Sequence, residues 1–198
     1  MLYIVSMKEK TLQDLTKEEI GQLFPVEICP YSKTWPELFE QEKHLITDHI
    51  EPGLFSRIVH FGSTSIPGLS AKNTIDMLME VDFEETKDQQ LIQQMKDLGY
   101  EFYWQKEGSH THMVFVKGYN PSSPKDQIYH IHAGPKDHPL WDRLLFRDYL
   151  IKHPETARAY QQLKIKFAEK FRYERVEYRI AKTDFVKEVT DRAKQELV

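Results

Sequence analysis

A chain of 198 residues is most simply one domain, long enough to bury a core without disulfide or metal staples. With 40% hydrophobic and 29% charged residues its composition is globular, and a formal net charge of -4 argues against a nucleic-acid groove, which needs clustered Lys and Arg. The single cysteine, Cys29, excludes an internal disulfide and a cysteine zinc cluster, and the absence of any apolar run of about 18 residues excludes a membrane-spanning helix.

The chain opens on "MLYIVSMKEK", apolar at first but charged within a few residues and without a basic leader or a small-residue cleavage site, so a cytoplasmic location is expected. "TLQDLTKEEIGQLF" reads as a short amphipathic helix with Thr16 and Glu19 as a capping box, and residues 1–24 read as an added N-terminal arm before a domain over 25–198. "PVEICP" reads as a short strand closed by Pro30. "TWPELFEQEKHLITDHI" predicts a longer helix, capped by Thr34 and Glu37, with Trp35, Leu38, Phe39, Leu45, Ile46 and Ile50 on one stripe.

"RIVHFG" then predicts a strand, "STSIPGLSAKN" a loop, "TIDMLMEV" a second strand, and "EETKDQQLIQQMKDLG" a helix stopped at Gly99. "YEFYWQK" and "THMVFVK" around "EGSH" predict a hairpin, with His110 and His112 read as solvated polar residues near its turn. "QIYHIHAG" predicts a further strand, and everything beyond Pro139 reads as helix, with Pro154 as a first-turn proline and one stretch running through "RVEYRIAKTDFVKEVTDRAKQEL". The order implies an α/β (α+β) fold: a mixed sheet flanked by helices, with a helical C-terminal part.

Two features of this order carry chemistry. Gly62, leaving a strand, allows the backbone to turn and to approach a ligand closely, and the hydroxyls of Ser63, Thr64 and Ser65 follow it. Asp76 falls inside an apolar strand, on the face of Thr74, Leu78 and Glu80, while Ile75, Met77, Met79 and Val81 form the opposite, core-facing row. An unpaired carboxylate there costs several kcal/mol or takes up a proton, so a cation or donors such as Lys72 are expected beside it. His130 and His132, two apart on one strand face, are candidate co-ligands that favour manganese, iron or zinc over magnesium, or one of them a general base. The plain alternatives are a turn of small residues, a structural Lys72–Asp76 pair and two histidines hydrogen-bonded to neighbours.

The segment "HFGSTSIPGLSAKNTIDMLMEV" resembles the nucleotidyltransferase superfamily, in which a strand ends in Gly-Ser and the next carries Asp-hydrophobic-Asp. It is more similar still to the GrpB family, as are "PYSKTWPELFEQEK" upstream, "YHIHAG" in the middle, and "LLFRDYLIKHPETARAYQQLK" and "YRIAK" downstream, so that the resemblance runs from about Val26 to the C-terminus. It implies a nucleotidyltransferase-like sheet and a divalent metal, Mg or Mn. It also implies transfer of a nucleotidyl group from a nucleoside triphosphate to a small acceptor. Carried over residue by residue, Gly62 and Ser63 would bind phosphate and Asp76 would be the first metal carboxylate. The second carboxylate position holds Leu78, which cannot ligate, and Glu80 lies about 6.6 Å further along the strand. The expected catalytic set is therefore Asp76, Glu80, His130 and His132, with Asp76, Glu80 and His132 on the metal. Gly62, Ser63, Thr64, Ser65, Lys72, Arg147 and Lys182 are the expected phosphate or substrate binders. Leu78 also keeps open a non-catalytic nucleotide-binding module on the same fold, and the histidine pair a single-metal phosphoesterase.

Overall fold

The computed structural model describes residues 14–197, so the opening apolar stretch and the first three residues of the expected first helix lie outside the described residues. Helix α1 (Lys17–Leu23) starts at the expected capping box, Thr16 Oγ1 accepting from the Glu19 amide while Glu19 accepts from the Thr16 amide. The expected strand over "PVEICP" reduces to a single bridge between Cys29 and Ala71. Helix α2 (Trp35–His49) lacks the expected capping box, because Thr34 turns its hydroxyl to Ser32 Oγ at 2.7 Å and Pro36 in the first turn leaves fewer amides to cap.

Five strands follow: β1 (Arg57–Phe61), β2 (Thr74–Glu80), β3 (Glu101–Glu107), β4 (His110–Lys117) and β5 (Ile128–Gly134). Their order is β1-β2-β5-β4-β3, all neighbours antiparallel except β2 and β5, which run parallel. Helix α3 (Glu85–Asp97) provides the crossover from β2 and ends as foreseen at Gly99. There the Tyr100 amide donates to Met95 O at 3.0 Å and the Gly99 amide to Lys96 O at 2.9 Å, the paired bonds of a Schellman stop. The β3–β4 hairpin turns on Gly108 and Ser109, with a positive φ at Gly108 alone.

The two faces of the sheet differ in chemistry. On one, Ile75, Met77, Met79, Ile131, Ala133, Met113 and Phe115 pack against Trp35, Phe39 and Ile46 of α2 and Leu91 and Met95 of α3. The alternation read from the sequence of β2 thus puts its apolar row where expected. The stripe of α2 also buries Glu42, which pairs with Lys117 and accepts from the Tyr100 hydroxyl at 2.8 Å. On the other face lie Asp76, Leu78, His130, His132 and His112, beneath the C-terminal helices α4 (Asp142–Lys152), α5 (Pro154–Lys170), α6 (Arg175–Ala181) and α7 (Thr183–Gln195). The single helix expected from residue 175 onward divides at Lys182, which caps α6 and opens α7.

Truncating Glu42 leaves the Lys117 ammonium and the Tyr100 hydroxyl without their shared acceptor in a largely closed site. Glu42→Ala is expected to lower unfolding stability by about 3 kcal/mol in urea titration, well above the effect of a surface carboxylate.

Candidate functional site

Between the polar face of the sheet and the C-terminal helices lies a cavity of about 750 Å³. Asp76 stands at its floor. The register places it between Phe61 of β1 and His130 of β5, and 26% of its side-chain surface stays open to the cavity. Gly62 makes that position possible. Its φ of +75° is a backbone state that side chains resist, and a Cβ on it would stand 2.5 Å from Asp76 Oδ2.

The turn after Gly62 uses most of its hydroxyls internally. Thr64 Oγ1 donates to Thr74 O and so accepts from His60 Nε2, both at 3.0 Å, and Ser65 Oγ donates to Gly62 O at 2.6 Å. Of the three expected hydroxyl ligands Ser63 and Thr64 line the cavity and Ser65 does not; the Thr64 hydroxyl is spent on His60 and Thr74, and that of Ser63 lies against the Tyr160 hydroxyl. The loop leading to β2 is pinned from outside: Trp35 Nε1 donates to Asn73 Oδ1 at 2.8 Å, the Ser70 amide donates to Gln161 Oε1 at 2.8 Å, and Lys164 donates to Ser70 O. This fixes Lys72 at the cavity wall.

Basic groups dominate that wall. Lys72, Arg143, Lys164, Arg175, Arg179 and Lys182 line the cavity against three carboxylates, Asp76, Glu107 and Asp142. Glu107 is taken by Arg143 at 2.9 Å and Asp142 by Lys194 at 2.6 Å, which leaves Asp76 facing the remainder. Most of the cations lie over a tyrosine ring: Lys182 and Lys72 over Tyr178 at 4.3 and 5.8 Å, Lys164 over Tyr160 at 4.9 Å, Arg175 over Tyr119 at 5.3 Å. Burial, and then mutual repulsion, lowers the Lys72 ammonium; burial takes Lys182 to about 8 and Lys164 to about 7. Burial raises the Asp76 carboxyl against the pull of Lys72, Lys182 and Arg143.

His130 is built into a chain of donors. Arg175 Nη2 donates to the Tyr119 hydroxyl at 2.6 Å, that hydroxyl is hydrogen-bonded to His130 Nε2 at 2.7 Å, and His130 Nδ1 faces Asp76 Oδ1 at 3.7 Å. Burial, Lys72 and Arg175 depress its pKa to about 3, so the ring is neutral. His132 directs Nδ1 at His112 Nε2, 3.0 Å away. His112, expected to be solvated, is fully buried because β4 turns it to the roofed face opposite Gln105, where its Nδ1 has no hydrogen-bond partner.

The expected second metal carboxylate does not come to the site. Glu80 lies four residues beyond Asp76, about 13 Å along the strand, where it accepts from Arg57 Nε at 2.6 Å outside the cavity lining. Leu78, at the position a second carboxylate would take, is 0% exposed and packed with Phe61, Leu140, Trp141 and Leu144. Among the described residues no three His, Cys, Asp or Glu side chains are grouped to hold a metal ion. The donor set therefore does not fit a two-metal centre. Arg147 also lies apart from the cavity: it binds Asp148 and donates to His60 O at 2.7 Å, tying α4 to β1. The cavity takes its arginine one turn earlier, at Arg143. Sequence reasoning missed Arg143, Tyr119, Lys164, Arg175 and Arg179. A signal existed for some, since Lys164 interrupts the Ala157, Tyr160 and Ala168 stripe of α5, and residues 175, 179 and 182 share a helical face.

The comparisons with known proteins agree with the sequence pattern. A family model described as GrpB protein matches residues 25–192. The chain belongs to the GrpB family. It is 35% identical over 170 residues to the UPF0157 protein PA4798 of Pseudomonas aeruginosa, which covers 85% of this chain and 67% of that protein. It is 36% identical over 180 residues to the UPF0157 protein YqkA of Bacillus subtilis, covering 89% of this chain and 50% of that one. The chain thus spans between half and two thirds of the length of these curated relatives. The crystal structure of conserved protein GrpB from Enterococcus faecalis superposes with a TM-score of 0.73 at 27% identity, over 86% of this chain and 99% of that one.

Two outcomes follow from this geometry. Gly62→Ala is expected to cost about 1–3 kcal/mol in a denaturation titration and to displace the Asp76 carboxylate. The pKa values of His60, His112, His130 and His132 are all lowered by burial, the first two to about 4. Below about pH 6.5 the unfolded chain takes up protons that these rings refuse in the folded state, so stability falls with pH between 6.5 and about 4. Asp76, with its raised pKa, opposes this with one proton against four. A melting temperature lower at pH 5 than at pH 7 by about 5 °C or more is expected in calorimetry.

Proposed function

We propose that the chain binds a nucleotide in this cavity, with its phosphates held at the Gly62–Ser63 turn and by Lys72, Arg175 and Lys182. Support comes from the resemblance of the Gly-Ser turn and Asp76 to the nucleotidyltransferase pattern, and above all from one observation. The cavity is lined by Lys72, Lys164, Arg175, Arg179 and Lys182, while Asp76 is the one lining carboxylate not taken up by a lysine or arginine ion pair, a charge balance suited to a polyanionic ligand. Tyr103, Val114 and Val116 also line the cavity and offer a less charged wall to the uncharged part of such a ligand.

Between a transferase and a binding module the packing of Leu78 favours the second. Nucleotidyl transfer by two metals needs carboxylates on both sides of the reacting phosphate, and here one position is sealed in an apolar cluster. Metal-dependent transfer to a small acceptor is the second reading. It is favoured by the open position of Asp76 beside Ser63.

Calorimetric titration of ATP and GTP, followed by a pyrophosphate-release assay with Mg or Mn, separates the two. The expected outcome is saturable nucleotide binding without pyrophosphate release. Release that depends on Asp76 would instead establish the transferase, and failure of both nucleotides to bind would remove the proposal.

A further inference from the structure

The charges around Asp76 have a consequence for how a phosphate ligand would be neutralised. Nucleotide sites commonly place a divalent cation between acidic side chains and the phosphates, so that the cation bridges two anions. In this cavity the place of such a cation is already surrounded by positive charge. Lys72, Lys182 and Arg143 all act on Asp76, and Arg175, hydrogen-bonded to Tyr119, lines the same cavity. His130 Nε2 is taken by the Tyr119 hydroxyl, and its Nδ1 lies 3.7 Å from the same carboxylate. Among the described residues neither the Lys72 nor the Lys182 ammonium forms an ion pair with a carboxylate. Both instead lie over Tyr178, which is itself buried between α5 and the segment at Val26 and so holds the two ammonium groups on the cavity wall.

We propose that phosphates bind here without a divalent metal, the Lys72 and Lys182 ammonium groups supplying the counter-charge that a metal ion supplies elsewhere. In this arrangement Asp76 is not an anchor for a cation. It is a repulsive neighbour of the phosphates, close enough to the two lysines to feel their charge but not paired with either. Metal-free phosphate chains, which carry more negative charge than their magnesium complexes, are then the better ligands. The proposal rests on the reading that a phosphate-bearing ligand occupies this cavity.

The sign of the Asp76 effect makes the test. ATP and inorganic tripolyphosphate are titrated calorimetrically into the full chain, once in EDTA and once in excess magnesium, with Asp76→Asn and Lys182→Ala run in parallel. The expected results are binding in EDTA at least as tight as in magnesium, affinity retained or increased in Asp76→Asn, and a loss of about tenfold in Lys182→Ala. Lys182 stands at a helix junction, so its variant is read only with an unchanged far-ultraviolet spectrum and melting temperature. Binding that requires magnesium and disappears in Asp76→Asn overturns metal-free neutralisation while leaving nucleotide binding intact. No binding of either probe in either condition removes the underlying reading, and this inference with it.

Discussion

A carboxylate set into the middle of a sheet, on the face roofed by helices, obliges the rest of the structure to surround it with positive charge. Asp76 meets that condition through Lys72 from the preceding loop, Arg143 from α4 and Lys182 from the α6–α7 junction, with Lys164 of α5 and Arg175 of α6 lining the same cavity. Because the helices carry the cations, the cavity exists only once they are folded over the sheet. Bringing so many ammonium and guanidinium groups together costs solvation and repulsion, seen in the lowered Lys72, Lys164 and Lys182 values. An anion entering the cavity would relieve that strain, which is the electrostatic basis of the proposed binding site.

The sheet divides two tasks between its faces. Stability comes from the apolar row of β2 and β5 against α2 and α3, where Met77, Met79, Ile131 and Met95 are fully closed to solvent. The opposite face stays half polar and leaves room for a ligand. The parallel pairing of β2 with β5 connects the tasks: the register that seats Ile75 and Met77 in the core also sets His130 beside Asp76 and His132 beside Leu78. A slip by one residue would turn Asp76 into the core, so the burial of the apolar row guards the geometry of the site.

Much of this was legible in the chain. The alternation of "TIDMLMEV" gave the strand and both its faces, Gly62 announced the close approach that the contact with Asp76 requires, and the helix stop at Gly99 was written in its sequence. The candidate site was legible only in part. Gly62, Ser63, Lys72, Asp76, His130, His132 and Lys182 all line the cavity, whereas Arg147 and Glu80 are committed to His60 and Arg57 outside it. Arg147 and Arg143 lie one helical turn apart, and periodicity within a helix does not tell which turn overhangs a cavity. His112 escaped because its burial depends on the helices that roof β4, not on its neighbours in sequence.

The sequence by itself determined the order of elements, the apolar face of the sheet and the membership in the GrpB family, because these rest on short-range patterns and on a long colinear motif. It also placed a leucine where a second metal carboxylate would stand. Only the tertiary structure decided what that leucine means, by closing Leu78 under Phe61, Leu140 and Trp141 and carrying Glu80 to Arg57. It alone decided the charge of the cavity as well, since the cations come from segments up to about a hundred residues away from Asp76. Electrostatic fields add through space, and a count along the chain, net negative here, gives no sign of a local excess of the opposite charge.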